Sequence, residues 1–237
     1  MKYVICLPFA YRPYLEECKA TMHSDFAQNV YFIDDTNPDN RIGIMRAHNM
    51  GIDRMRELGA DWLIILSAAI RFGEAGGLDF IDVLKRHSDH YVIHAASANV
   101  KGGLQHDPKG KDEVNEIKGW HLTAFKREVF DKIGRWDENF TPYGFDDIDL
   151  SIRIQKKYKG KSGWNTYPCD VHDTVMAHSI NLGGVISPPE PKIEYFKRKW
   201  GRYHGEWQKE AWDHPFNNPK NSLAYWPDAP NGGKWDD

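Results

Sequence analysis

Residues 30–66 read VYFIDDTNPDNRIGIMRAHNMGIDRMRELGADWLIIL. Val30 to Ile33 is a short β-prone run closed by Asp34-Asp35-Thr36-Asn37-Pro38-Asp39-Asn40, a dense turn signal. Ile44, Ala47, Gly51, Ile52, Met55 and Leu58 then recur at spacings of three and four, which predicts an amphipathic helix ended by Gly59. Trp62 to Leu66 follows as an unbroken apolar run of strand length. Strand, helix and strand in that order, with strands apolar on both sides, predict parallel neighbours covered by helices.

The same rhythm extends both ways. Tyr3 to Leu7 is an earlier strand closed by Pro8, and Tyr14 to Met22, free of Gly and Pro, is a helix leading to Val30. Downstream, Leu78 to Arg86 reads as a helix and Tyr91 to Ala96 as a fourth strand. Asn99 to Lys118 is rich in Gly, Lys, Asp and His, with Gly102-Gly103 and Asp107-Pro108 as breakers, and reads as a long loop. A helix around Lys126 to Ile133, a turn over Gly134 to Asn139, a helix from Asp146 to Tyr158 and a strand near Asp170 to Ala177 complete the α/β pattern. No internal repeat interrupts it.

Composition narrows the class. A chain of 237 residues with 41% hydrophobic and 27% charged residues has enough apolar material for one large core, so neither disorder nor a fibre is indicated. No apolar run approaches the roughly 18 residues of a membrane span, and the start carries no cleavage signal, so a cytoplasmic protein is expected. The formal charge of -3 gives no long-range pull toward nucleic acid. Cys6, Cys18 and Cys169 are an odd number without C-x-x-C spacing, which argues against both a disulfide framework and a zinc cluster. Five of the nine tryptophans, Trp200, Trp207, Trp212, Trp226 and Trp235, crowd the C-terminal tail, which therefore differs in kind from the rest.

In open α/β sheets ligands bind beyond the carboxyl ends of the strands. Here those ends carry Pro8-Phe9-Ala10-Tyr11-Arg12, Asp34-Asp35 and Ser67-Ala68-Ala69. An aspartate pair at a strand end can accept hydrogen bonds from a nucleobase edge or from ribose hydroxyls, or it can close an Asx-turn before Pro38.

VICLPFAYRPYLEEC, FIDDTNPDN and RAHNMGI look like the opening, the nucleotide-binding segment and the following helix of family 2 glycosyltransferases. WHLTAFKREVFDKIGRWDENFTPYGFDDIDLSIRI is similar to their acceptor-side signature: a helix, a G-x-[FW]-D-E turn, then an acidic pair with Asp-Leu and an Arg one turn later. These segments occur in family order across residues 3 to 180, and the aromatic tail after Lys199-Trp200-Gly201 looks like that of phage-encoded members, for which the location would be the host cytoplasm.

The resemblance implies a GT-A fold, a Rossmann-like, mostly parallel central sheet flanked by helices. It would occupy residues 1–185, with a nucleotide-sugar half to about residue 97, an acceptor half over 98–185 and a C-terminal helical, aromatic extension over 186–237. It implies transfer of a sugar from a nucleoside diphosphate sugar, most often a UDP sugar, to an acceptor hydroxyl with inversion. Pro8, Phe9, Ala10, Tyr11, Arg12, Asp34, Asp35, Arg46, Asn49, Ser67, Ala68 and Ala69 would bind the donor. Asp147, the second member of the acidic pair, would be the general base, with Asp146 and Asp149 as supporting carboxylates. A sugar hydroxyl is a poor nucleophile, and a carboxylate in hydrogen-bond reach removes its proton as attack proceeds. The same aspartates also suit a helix N-terminus, and Asp149 with Arg153 makes an i,i+4 ion pair.

One position departs from the family. GT-A enzymes usually carry D-x-D after the third strand, whose carboxylates hold a divalent Mn or Mg ion against the diphosphate. This chain has Ser67-Ala68-Ala69. Three arrangements fit: an enzyme using cationic side chains without metal, a metal held by other groups, or an inactive nucleotide-sugar or carbohydrate-binding module. Arg46, Arg71 and His178 are candidates to meet the phosphates or a metal, with His172 as a weaker alternative to His178. Gly119, Trp120 and His121 precede the acceptor-side helix, where a tryptophan can stack on a sugar. The acceptor hydroxyl belongs to a glycan, a protein or a modified nucleobase, three classes the residues do not separate.

Overall fold

A computed structural model of the chain describes residues 1–97, 121–140, 145–158, 165–173 and 190–200. Strand β1 (Tyr3–Phe9) is followed by helix α1 (Arg12–Ala20), the short helix α2 (Ser24–Ala27) and β2 (Val30–Asp34). Helix α3 (Ile44–Glu57) leads to β3 (Trp62–Leu66), then β4 (Ile70–Phe72), α4 (Leu78–Arg86) and β5 (Val92–Ser97). Strand β6 (Leu122–Lys126) runs directly into α5 (Arg127–Ile133), followed by α6 (Asp146–Lys157), β7 (Asn165–Cys169), β8 (Val171–Asp173) and α7 (Glu190–Trp200).

The main sheet has the order β2-β1-β3-β6-β5-β7. β1 is parallel to β2 and to β3, and β5 is parallel to β7, while β6 is antiparallel to both of its neighbours. This is the mixed, mostly parallel α/β sheet that the GT-A resemblance implies. β4 and β8 form a separate antiparallel ribbon.

Period-two alternation sorts the strand residues onto two cores. Val4, Cys6, Leu63 and Ile65 face the layer of α3, α5, α6 and α7. Ile5, Leu7, Phe9, Trp62, Ile64 and Leu66 face the opposite layer with Leu15, Phe26, Phe80 and Leu84. All five residues of β3 are buried, which explains its unbroken apolar sequence. Helix α3 comes close to the sheet at Gly51, where an added Cβ would lie 2.8 Å from Cys6 Cβ and 2.9 Å from Cys6 Sγ.

The elements differ from the sequence expectations in the short helix α2 and in four strands. β6 was not anticipated, because Leu122-Thr123-Ala124-Phe125 passes into α5 with no breaker between strand and helix. β4 and β7 were also missed; each is short, and β7 contains Pro168. Of the strand expected near Asp170 to Ala177, the described part is β8, which belongs to the ribbon and not to the main sheet. The loop expected over Asn99 to Lys118 lies outside the described residues. Among the described residues no helix is long and apolar enough to cross a membrane.

Candidate active site

A cavity of about 190 Å³ opens at the carboxyl ends of β1 and β3, lined by Pro8, Ile44, His48, Ile65, Leu66, Ser67, Asp146 and Asp147. Three parts of the chain build it. β1 and β3 are adjacent and parallel, so Pro8 and Ser67 come together at the same end of the sheet. On α3, Ile44 and His48 stand one turn apart and share a face. The third part is the first turn of α6, which brings in Asp146 and Asp147, both half-buried.

That first turn is held in an unusual way. Phe145 immediately precedes α6 with φ 65° and ψ 0°, the one non-glycine residue in the left-handed region among the described residues. An L residue there costs roughly 1–2 kcal/mol. Its ring is buried and stacks on Phe196 of α7 at 4.8 Å between centroids. Packing therefore fixes a backbone conformation that the sequence alone does not favour, and that conformation aims the following two aspartates. Asp147 Oδ1 accepts the Ile148 N–H at 2.8 Å.

Asp149 lies on the other side of the same turn. It is fully buried, and both oxygens are engaged: Oδ2 accepts from Arg153 Nη2 at 2.7 Å and Nε at 3.0 Å, while Oδ1 accepts from Trp200 Nε1 at 3.0 Å and Lys199 Nζ at 2.7 Å. Lys199 also donates to Asp137 Oδ2 at 2.7 Å, which accepts from Tyr195 Oη at 2.6 Å. Burial would raise the Asp149 pKa, but Arg153 and Lys199 outweigh it and hold the group below the ordinary carboxylate value. Asp149 is thus the centre of an ion network tying α6 to α7, apart from the cavity that Asp146 and Asp147 line.

The remaining expected residues divide in the same way. Asp34, exposed, accepts from Thr36 N at 3.0 Å and Oγ1 at 2.6 Å and pairs with Arg12; the Thr36 bonds lower its pKa. Asp35 accepts from Ile42 N at 2.6 Å and Gly43 N at 3.2 Å, which fixes the entry to α3. Phe9 is buried in the core, whereas Ala10 and Tyr11 are exposed. Arg46 pairs with Glu138 at 3.1 Å on the surface. Asn49 is buried and spends its amide on the turn after α5, accepting from Trp136 N and donating to Trp136 O, each at 3.0 Å, and donating to Glu138 Oε1 at 2.9 Å.

In the segment that replaces D-x-D, Ser67 Oγ accepts from Ala69 N at 3.2 Å. Arg71 donates to the Ala68 and Ile70 carbonyls at 2.7 and 2.8 Å and pairs with Glu17, so it braces this segment and lies outside the cavity lining. His121 O accepts from Ser67 N at 2.8 Å, which places the acceptor-side strand beside it. Gly119, Trp120 and His178 lie outside the described residues, as does the side chain of His172. Among the described residues no three His, Cys, Asp or Glu side chains are placed to hold a metal ion, and Ser67 and Ala69 supply no carboxylate.

Sequence reading missed His48. It stands between two residues that were noticed, Arg46 and Asn49, and its signal was the phase of α3: Ile44 and His48 are four apart, on the face that meets the strand ends. The residue is 4% exposed, its Nδ1 is buried without a hydrogen-bond partner, and burial lowers its pKa to about 3, leaving a neutral imidazole. Trp136, held by Asn49, packs against it at 4.8 Å.

No protein-family model matches the chain, and no curated protein matches it. Among solved structures it is similar to A197 from STIV, with 20% identity and a TM-score of 0.46 over 72% of this chain and 83% of that one. It is also similar to the catalytic domain of Drosophila β1,4-galactosyltransferase 7 in complex with xylobiose, with 14% identity and a TM-score of 0.49 over 70% of this chain and 64% of that one. A third is glucosyl-3-phosphoglycerate synthase from Mycobacterium tuberculosis in complex with Mn2+, UDP and phosphoglyceric acid, with 11% identity and a TM-score of 0.49 over 78% and 80%.

Proposed function

We propose that this chain is a GT-A glycosyltransferase that moves a sugar from a nucleoside diphosphate sugar, a UDP sugar in the first instance, to an acceptor hydroxyl with inversion. The observation that carries this reading is the convergence of two distant motifs: the Asp146-Asp147 pair and the Ser67 segment meet in one cavity at the carboxyl ends of parallel strands. Asp147 is the general base and Asp146 its supporting carboxylate. The acceptor O–H gives its proton to Asp147 as oxygen attacks the anomeric carbon, and the nucleoside diphosphate departs from the opposite face.

The residues at 67–69 do not fit the usual metal, because Ser67, Ala68 and Ala69 supply no carboxylate. The diphosphate charge then falls to cations. Arg46 is the candidate kept for this role: it is not among the residues lining the cavity, but its surface pair with Glu138 is of the kind worth only about 0.2–1 kcal/mol and exchanges partners at little cost. The catalytic unit in this reading is residues 1–185 together with α7, whose Phe196, Lys199 and Trp200 hold the first turn of α6. The acceptor is a glycan, a protein or a modified nucleobase.

The test is release of nucleoside diphosphate from UDP sugars supplied one at a time, with and without EDTA, by the wild type and by Asp147→Asn. Transfer that survives EDTA and falls by about 10²–10⁴-fold in the variant, with donor binding retained, is the expected result. Near-wild-type turnover by Asp147→Asn would remove Asp147 from the role. The second reading, a binding module without activity, is favoured by the loss of D-x-D; donor binding with no release under any acceptor would establish it.

A further inference from the structure

The lining of the cavity mixes apolar residues, Pro8, Ile44, Ile65 and Leu66, with polar ones, His48, Ser67, Asp146 and Asp147. At about 190 Å³ it exceeds the ~150 Å³ of an engineered cavity that admits benzene, and falls short of the roughly 300–1,000 Å³ of sites that enclose a whole drug-sized ligand. One hydroxylated six-membered ring matches that volume and mixed lining, with the rest of a larger ligand extending beyond it.

His48 is the anomaly in that lining. A buried polar atom without a partner destabilises a protein by about 1–3 kcal/mol, so native structures seldom keep one. Nδ1 of His48 is such an atom, sealed away from the open volume, which leaves Nε2 as the nitrogen through which the imidazole meets the cavity it lines. A leucine in the same place would satisfy the core equally well. The imidazole, being uncharged, does little to neutralise a diphosphate, but its Nε2 donates to a hydroxyl oxygen in one tautomer and accepts a hydroxyl proton in the other.

We propose that His48 hydrogen-bonds a hydroxyl of the sugar ring held in this cavity and so sets which sugar the protein accepts. This assignment rests on the nucleotide-sugar reading above. Trp136 presses on the ring from the turn that Asn49 holds, so Asn49 and Trp136 are positioning residues for His48.

The experiment compares His48→Phe with the wild type, measuring affinity for UDP and GDP alone and for a panel of their glucose, galactose, mannose and N-acetylglucosamine conjugates. A bare nucleoside diphosphate lacks the sugar hydroxyl that His48 would contact, so its affinity should change least. The gain in affinity contributed by the preferred sugar should shrink about tenfold, as loss of one well-formed hydrogen bond predicts. Discrimination among sugar epimers should flatten with it. The melting temperature of His48→Phe should equal or exceed that of the wild type, because an unsatisfied polar atom has been removed; a merely structural histidine predicts a fall. His48→Leu gives the same comparison if phenylalanine is not accommodated, and His48→Gln, whose amide reaches near the Nε2 position, should retain most of the sugar's contribution.

An unchanged sugar preference in His48→Phe and His48→Leu would overturn the assignment, as would equal weakening of bare and conjugated nucleotides together with a lower melting temperature. A wild type that binds no nucleoside diphosphate and none of the sugar conjugates would remove the glycosyltransferase reading itself, an outcome distinct from either.

Discussion

Asp147 and Asp149 are two positions apart on α6 and have opposite surroundings. Asp147 lines the cavity, whereas Asp149 holds two cations and an indole N–H in the core. Their substitutions should separate accordingly. Asp149→Asn should cost about 3–5 kcal/mol in urea unfolding, the usual effect of breaking a buried ion pair from one side. The pH response has a definite sign. The native Asp149 carboxyl sits below its unfolded value of about 3.9, so on acidification the unfolded chain takes up that proton first. Its stabilisation is complete above about pH 4 and lost as pH falls through the native value; the acid limb of Asp149→Asn should be correspondingly shallower in a pH series of melts. The Asp149–Arg153 pair was legible from the i,i+4 spacing. Lys199 and Trp200 were not, since partners 50 and 51 residues away leave no periodicity to read.

Helix α3 serves the site twice, through His48 in the cavity and through Asn49 on the turn that carries Trp136. Its seating on the sheet depends on Gly51. Gly51→Ala should lower stability by about 1–3 kcal/mol, measured by thermal or urea denaturation, because Cys6 belongs to a central strand and cannot recede. The periodicity that located α3, α4 and α6 in the sequence arises from one wet face and one buried face. β3 was equally readable as a buried run. β6 was not, because Leu122-Thr123-Ala124-Phe125, three apolar residues and a threonine leading into an amphipathic helix, present the pattern of a slightly longer helix. His48 was passed over for a related reason: a polar residue on a core-facing stripe announces nothing until the opposite wall of the cavity is in place.

Across the whole molecule, α7 closes the layer on which α6 rests. Tyr195, Phe196 and Trp200 are buried in the same core as Trp136, Phe140 and Phe145, and Lys199 neutralises two buried carboxylates. A chain ending at residue 189 should therefore lose its cooperative melting transition and bind a hydrophobic dye, losing activity as a consequence. The sequence marked this region as aromatic and distinct. It did not disclose that residues 190–200 complete the core, since the rings that meet them come from turns and helix ends far upstream.

The placement of β6 also bears on how the chain is made. β3 pairs with β1 on one side as soon as residue 66 is available, but its other side waits for Leu122 to Lys126. Until those residues leave the ribosome, Trp62-Leu63-Ile64-Ile65-Leu66 is the open border of a nascent three-stranded sheet, with unpaired backbone donors and acceptors along a wholly apolar strand. Such a border recruits other strands. Synthesis rate and chaperone supply over that interval, more than the stability of the finished fold, will govern the yield of native protein.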